Sequence, residues 1–195
     1  MSNADRAKWE GRYAAGDTPD RGYPTEVLAR WLPDLPRGRA LDLACGMGRN
    51  AIALARAGFD VDALDISASA LARGRERAEA DGLNINWVEQ DLDSGALPHD
   101  DYAVVVVARF LSRAAVPWIL DAMRDDGVVV YETHLLTSRE VDGPKSRDFR
   151  VRPNELLHLF WPLRVLHYRE RIETDLEGRL MALAELVACK GDGGL

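Results

Sequence analysis

Positive charge, cysteine and long apolar runs are all scarce in this chain, and each scarcity removes a class of protein. Lys and Arg number 25 against 32 Asp and Glu, a formal net charge of -7. A chain of that sign is repelled by phosphate backbones, so generic nucleic-acid binding is disfavoured. Two cysteines, Cys45 and Cys189, make neither a disulfide framework nor a zinc site. The longest purely apolar run covers the six residues Ala103 to Ala108, far short of the roughly 20 that span a bilayer. Met1 to Glu10 holds no apolar stretch and carries Asp5 and Glu10, so no secretory leader is expected there. What is present is ordinary: 47% hydrophobic and 29% charged residues over 195 positions. These values describe one globular domain with a sizeable core, reduced and cytoplasmic, a monomer or homodimer with no membrane partner.

Strand and helix signals alternate along the chain. Ala40 to Ala44, Phe59 to Asp65, Ile85 to Val88, Tyr102 to Val107 and Val128 to Thr133 read as strands. Ala51 to Ala57 is helical in composition, and Ser67 is placed to cap a helix running to Asp81 and closing at Gly82. Pro117 begins a helix to about Met123, and Pro153 suits the first turn of one through Phe160. Leu163 to Ile172 and Leu180 to Cys189 flank Asp175 to Arg179, with Gly178 inside, which predicts a hairpin. Strands with almost no polar break need cover on both faces. The expected fold is therefore α/β, doubly wound, with a mostly parallel seven-stranded sheet and a C-terminal antiparallel hairpin. The first 38 or so residues, helical at Ala4 to Ala15 and Thr25 to Leu32, are expected to cover the ligand edge. Gly191 to Leu195 reads as a loose end.

The sharpest feature is Leu41-Asp42-Leu43-Ala44-Cys45-Gly46-Met47-Gly48-Arg49-Asn50. It follows a strand and opens a helix, so free N–H groups and side-chain-free backbone face a ligand together. Asp65 ends the next strand, where a carboxylate can accept from two ribose hydroxyls. Two ligand classes share this geometry, because Gly46 to Ala51 also satisfies the dinucleotide pattern G-x-G-x-x-G/A. Asp42 bears on the choice. A carboxylate beside the loop opposes a pyrophosphate and attracts a ligand carrying an ammonium and a sulfonium.

Asp42-Leu43-Ala44-Cys45-Gly46-Met47-Gly48 resembles the first motif of class I S-adenosylmethionine-dependent methyltransferases, with Ala44 in place of the first glycine. The resemblance covers residues 38 to 133 well. It implies S-adenosylmethionine as cofactor, with Asp65 on the ribose, Ile66 on adenine, and Asp91 and Leu92 at the adenine end. It also implies Asp42, Ala44, Gly46, Gly48, Asn50 and Arg109 around the methionine end. Trp9-Glu10-Gly11-Arg12-Tyr13 is similar to the small tellurite-resistance and thiopurine methyltransferase group, in which an N-terminal helix lies over the cofactor. Arg12 is then a cofactor contact and Tyr13 a pocket contact.

Methyl transfer is an in-line displacement with a neutral leaving thioether, so alignment matters more than acid catalysis. No obligatory catalytic constellation is needed, and none is seen. There is no Asn-Pro-Pro-Tyr site, no Pro-Cys nucleophile, and no metal spacing among His99, His134, His158 and His167. Acceptor recognition falls to Arg113 after the fourth strand and to the segment 134–162 after the fifth. Within it, residues 134–153 hold five basic side chains, Arg147 and Arg150 among them, against three acidic ones. This segment is expected to be a lid over a small, anionic acceptor, with His134 the best-placed base. Two other readings stay open: an NAD-type oxidoreductase, and a cofactor-binding module without turnover.

Overall fold

The computed structural model describes residues 3–92 and 97–192, with side chains from residue 6 onward. Residues 193–195 of the expected loose end lie outside that range. Among the described residues, seven strands form one sheet: β1 (Arg39–Leu43), β2 (Asp60–Asp65), β3 (Asn86–Glu89), β4 (Tyr102–Ala108), β5 (Met123–His134), β6 (Arg164–Thr174) and β7 (Leu180–Cys189). Their order is β3-β2-β1-β4-β5-β7-β6. The pairs among β1 to β5 are parallel, whereas β7 runs antiparallel to both neighbours. β4 is buried on both faces from Tyr102 to Val107, as an apolar run without alternation requires.

Among the described residues, six α-helices accompany the sheet: α1 (Asn3–Ala14), α2 (Glu26–Trp31), α3 (Arg49–Arg56), α4 (Ala68–Ala80), α5 (Val116–Ala122) and α6 (Glu155–Leu159). Ser67 caps α4 as expected, its hydroxyl accepting from Ala70 N–H at 3.1 Å. One apolar cluster gathers Leu43, Val105, Tyr131, Ile119 and Phe160. A second gathers Leu28, Ile52, Val61, Val104 and Val130. The alternation of β4 and β5 between these clusters puts one on each face of the sheet.

Two boundaries differ from expectation. β5 begins at Met123, ahead of Gly127, because the β4–β5 register shifts between Tyr102 and Val104. Asp126, at φ 61°, donates its N–H to the Lys190 carbonyl. α6 begins at Glu155, leaving Pro153 outside it. Asn154 adopts φ 64°, which breaks helical continuity, and its N–H donates to Glu170 at 2.5 Å.

The N-terminal segment is tied across the sheet's C-terminal edge. Glu10 accepts from the Ser67 and Ser69 hydroxyls and from Ser69 N–H. This carboxylate sits at the N-terminus of α4, where exposed N–H groups favour negative charge. The two serine hydroxyls hold its pKa below the usual glutamate value. Farther along, Asp20 pairs with Arg77, and Arg21 forks onto Glu177 in the β6–β7 turn.

Candidate functional site

The chain leaves β1 toward β2 and β3 on one side and returns to β4 on the other. That reversal opens a crevice at the C-terminal ends of β1 and β4, where open α/β sheets bind ligands. The glycine loop lies there. Cys45 N–H donates to the Leu64 carbonyl at 2.9 Å, tying the loop to β2. Ala44, Gly46 and Gly48 all have positive φ, at 57°, 56° and 73°. A side chain at Gly46 would put its Cβ 2.6 Å from the Tyr13 hydroxyl. One at Gly48 would collide with the Trp87 ring. Gly46 therefore leaves room for the Tyr13 hydroxyl from α1, whereas Gly48 leaves room for a tryptophan from β3.

Two buried carboxylates frame the loop. Asp65 accepts from Gly46 N–H at 2.7 Å and from Ser67 N–H at 3.0 Å. Burial pushes its pKa up against the pull of these N–H groups. Asp42 is 1% exposed, and its Oδ2 accepts from Ala51 N–H at 2.9 Å. Its Oδ1 is buried without a partner among the described residues. Burial raises the Asp42 carboxyl to about 7, opposed by the Ala51 N–H and by Arg49. Tyr13 reaches the same place from α1, and burial followed by Asp65 pushes its phenol up.

The other wall of the crevice is cationic. Arg109 follows β4 at φ 59°, donates its N–H to the Glu132 carbonyl and ion-pairs with the Glu132 side chain at 2.8 Å. Glu132, 2% exposed, also meets Arg171 at 3.3 Å. Arg171 pairs onward with Glu185, which meets His167 at 3.1 Å. His134 ends β5 with its Nδ1 buried and unpartnered among the described residues. Gly143, at φ 106°, lets the following loop pass over this ring, since a Cβ there would lie 2.9 Å from Nδ1. Burial, then Arg109, Arg150 and Arg179, lowers the His134 pKa to about 3.

A histidine of this kind is neutral when folded and protonated when unfolded below pH 6.5. The unfolded state binds more protons, so His134 favours folding above about 6.5 and penalises it increasingly down to about 3. His134→Gln is expected to flatten the fall in melting temperature between pH 6.5 and 4. Identical acid limbs in the two proteins would remove this account of the residue.

The comparisons with known proteins agree with this geometry. A family model described as a methyltransferase domain matches residues 40–125. A probable S-adenosyl-L-methionine-dependent methyltransferase, TehB, from Haemophilus influenzae is 29% identical over 163 residues, covering 78% of this chain and 57% of the relative. The crystal structure of TehB from Haemophilus influenzae superposes with a TM-score of 0.75 at 24% identity, covering 93% of this chain and 67% of that one. Magnesium protoporphyrin IX methyltransferase from Synechocystis, with bound SAH, gives 0.73 at 16% identity, over 96% of this chain and 100% of that one. The sheet itself separates the two nucleotide-binding readings. Dinucleotide folds run 3-2-1-4-5-6, whereas here an antiparallel strand is inserted between β5 and β6. The chain is similar to the class I S-adenosylmethionine-dependent methyltransferases. It spans a little over half the length of the TehB relative it matches.

The residues expected at the site are used in different ways. Asp42, Ala44, Gly46, Asp65 and Tyr13 come together at the loop. Ile66 is 4% exposed, and Leu92, 3% exposed, joins the apolar cluster beneath. Asp91 follows β3 and is half-buried. Asn50 faces elsewhere: its Oδ1 accepts from Thr25 N–H at 2.9 Å and from the Thr25 hydroxyl at 3.3 Å, fastening the start of α2. Arg12 is exposed, with its guanidinium 5.1 Å from the Trp9 ring centroid. Arg150 is buried and donates to the carbonyls of Pro144, Leu135 and Asp142, stapling the loop after β5. Arg113 forks onto Glu155 and donates to the carbonyls of Asp148 and Arg150. Arg147 is exposed.

Three contributors escaped the sequence reading. Arg49 is part of the loop motif, and burial and then Arg109 and Arg21 press its pKa down. Glu132 was legible as an acid inside an otherwise apolar strand. Trp87 carried no local signal, because its packing against Gly48 depends on how β3 lies beside α4.

Proposed function

We propose that this chain transfers a methyl group from S-adenosylmethionine to a small-molecule acceptor in the cytoplasm. The observation that carries the reading is Asp42, a buried carboxylate with one oxygen tied to the α3 backbone and the other unpartnered beside the glycine loop. An ammonium group fits that hydrogen-bond acceptor, and a pyrophosphate does not. S-adenosylmethionine would supply the methyl group and a leaving group that departs as a neutral thioether. The chain's own residues then bind and align. Asp65 accepts from ribose hydroxyls, Ile66, Asp91 and Leu92 border adenine, and Gly46 admits the ligand to the backbone. Tyr13 closes over the loop, and Arg109 and His134 border the acceptor. His134, held neutral by burial and its arginine neighbours, offers the acceptor a hydrogen-bonding imidazole nitrogen rather than a base. Two free, buried cysteines suit a reducing compartment. Among the described residues, no helix is long and apolar enough to cross a membrane.

Titration calorimetry with S-adenosylhomocysteine and with NAD tests the proposal. S-adenosylhomocysteine is expected to bind and NAD to give no heat. Affinity should fall as pH drops below about 7, where Asp42 takes up a proton, and Asp42→Asn should bind more weakly without that pH dependence. NAD binding in place of S-adenosylhomocysteine would reverse the conclusion. Binding without turnover over a broad acceptor panel would favour a cofactor-binding module.

A further inference from the structure

Beyond the crevice, the loops after β4 and β5 enclose a cavity of about 510 Å³. Its charged lining consists of Arg113, Arg147, Arg150 and Arg152 with Asp148 and Glu155. The partners of these six leave a surplus of positive charge. Glu155 is engaged by the Arg113 fork and by Arg152 N–H. Asp148 accepts from the Ser146 hydroxyl at 3.1 Å. Arg150 is held by three neutral carbonyls, so its charge meets no carboxylate, and it is 7% exposed. Among the described residues, neither the Arg147 nor the Arg152 guanidinium has an ion-pair partner. One rigid, buried cation therefore stands beside two adjustable ones, around a space floored by the half-buried Leu136.

We propose that this cavity recognises a dianionic phosphate group carried by the methyl acceptor. Guanidinium forks match the oxygens of such a group in pairs. A single carboxylate would leave part of the surplus unmatched. The volume lies within the usual range for an organic ligand, roughly 300 to 1,000 Å³, and exceeds what a bare phosphate fills. The assignment of the anion to the acceptor rests on the methyltransferase reading, because the cavity lies between the two loops that border the acceptor in that reading.

Inorganic pyrophosphate is the probe. Titration calorimetry of the wild type is expected to show saturable binding at one site. In the Arg147→Ala/Arg152→Ala double variant, affinity should fall at least about tenfold, with S-adenosylhomocysteine affinity and melting temperature unchanged. Both side chains are exposed, so their removal leaves the core intact. Arg147→Glu, which reverses one charge, should weaken pyrophosphate further than Arg147→Ala does. Absence of saturable binding, or equal affinity in wild type and double variant, overturns the site. Pyrophosphate binding without S-adenosylhomocysteine binding would defeat the methyltransferase reading while leaving the anion site standing.

Discussion

Asp65→Ala is expected to lower folding stability by about 3 kcal/mol and to weaken S-adenosylhomocysteine binding about a hundredfold. The stability loss comes from two backbone donors. Gly46 N–H and Ser67 N–H both end on this carboxylate, which is 7% exposed. Each unsatisfied buried donor costs about 1–3 kcal/mol. The binding loss combines a slackened glycine loop with the loss of charge-assisted bonds to the ribose. Asp65→Asn separates the two contributions. Its carbonyl keeps one backbone acceptor, so much of the stability returns, while the charge is gone. Urea unfolding and calorimetry on both variants give the two numbers. Equal S-adenosylhomocysteine affinity in Asp65→Asn and wild type would reject the ribose role.

Glu132→Ala is expected to destabilise the chain by about 3 kcal/mol, because it removes a buried carboxylate shared by two guanidinium groups. Glu132 is almost fully buried and lies between Arg109 and Arg171. Arg171 retains Glu173 at 2.6 Å and Glu185, so the larger local disturbance falls on Arg109. Its backbone is already in the left-handed region at φ 59°, and the Glu132 side chain is the carboxylate that fixes its direction. Arg109 should therefore lose its position at the crevice. A double-mutant cycle over Glu132→Ala and Arg109→Ala is expected to show strong coupling. Additive losses would mean that the two side chains act separately.

Much of the architecture is legible in the sequence. Glycine, proline and serine punctuate the chain where the elements change, and the apolar run at 102–107 demanded a strand covered on both faces. The alternation of strand and helix, the glycine loop, Ser67 as a cap and the hairpin about Gly178 all follow from preferences expressed within a few residues. Where local rules competed, the boundaries moved. Asn154, in a left-handed conformation, displaced the start of α6 from Pro153 to Glu155. The register shift beside β4 carried the start of β5 back to Met123.

The sequence by itself therefore determined which residues form the loop and which acids end or adjoin its strands. Tertiary structure alone decided how the polar side chains are used. Asn50 serves Thr25, 25 residues away. Gly48 makes room for Trp87. Arg150 closes its own loop, while Arg147 and Arg152 are left to a cavity. The insertion of antiparallel β7 between β5 and β6, which sets this sheet apart from a dinucleotide fold, is likewise a long-range choice. The physical reason is common to all of these. Backbone preference is local, whereas a buried polar group takes whichever partner the packing of distant segments brings within hydrogen-bonding reach.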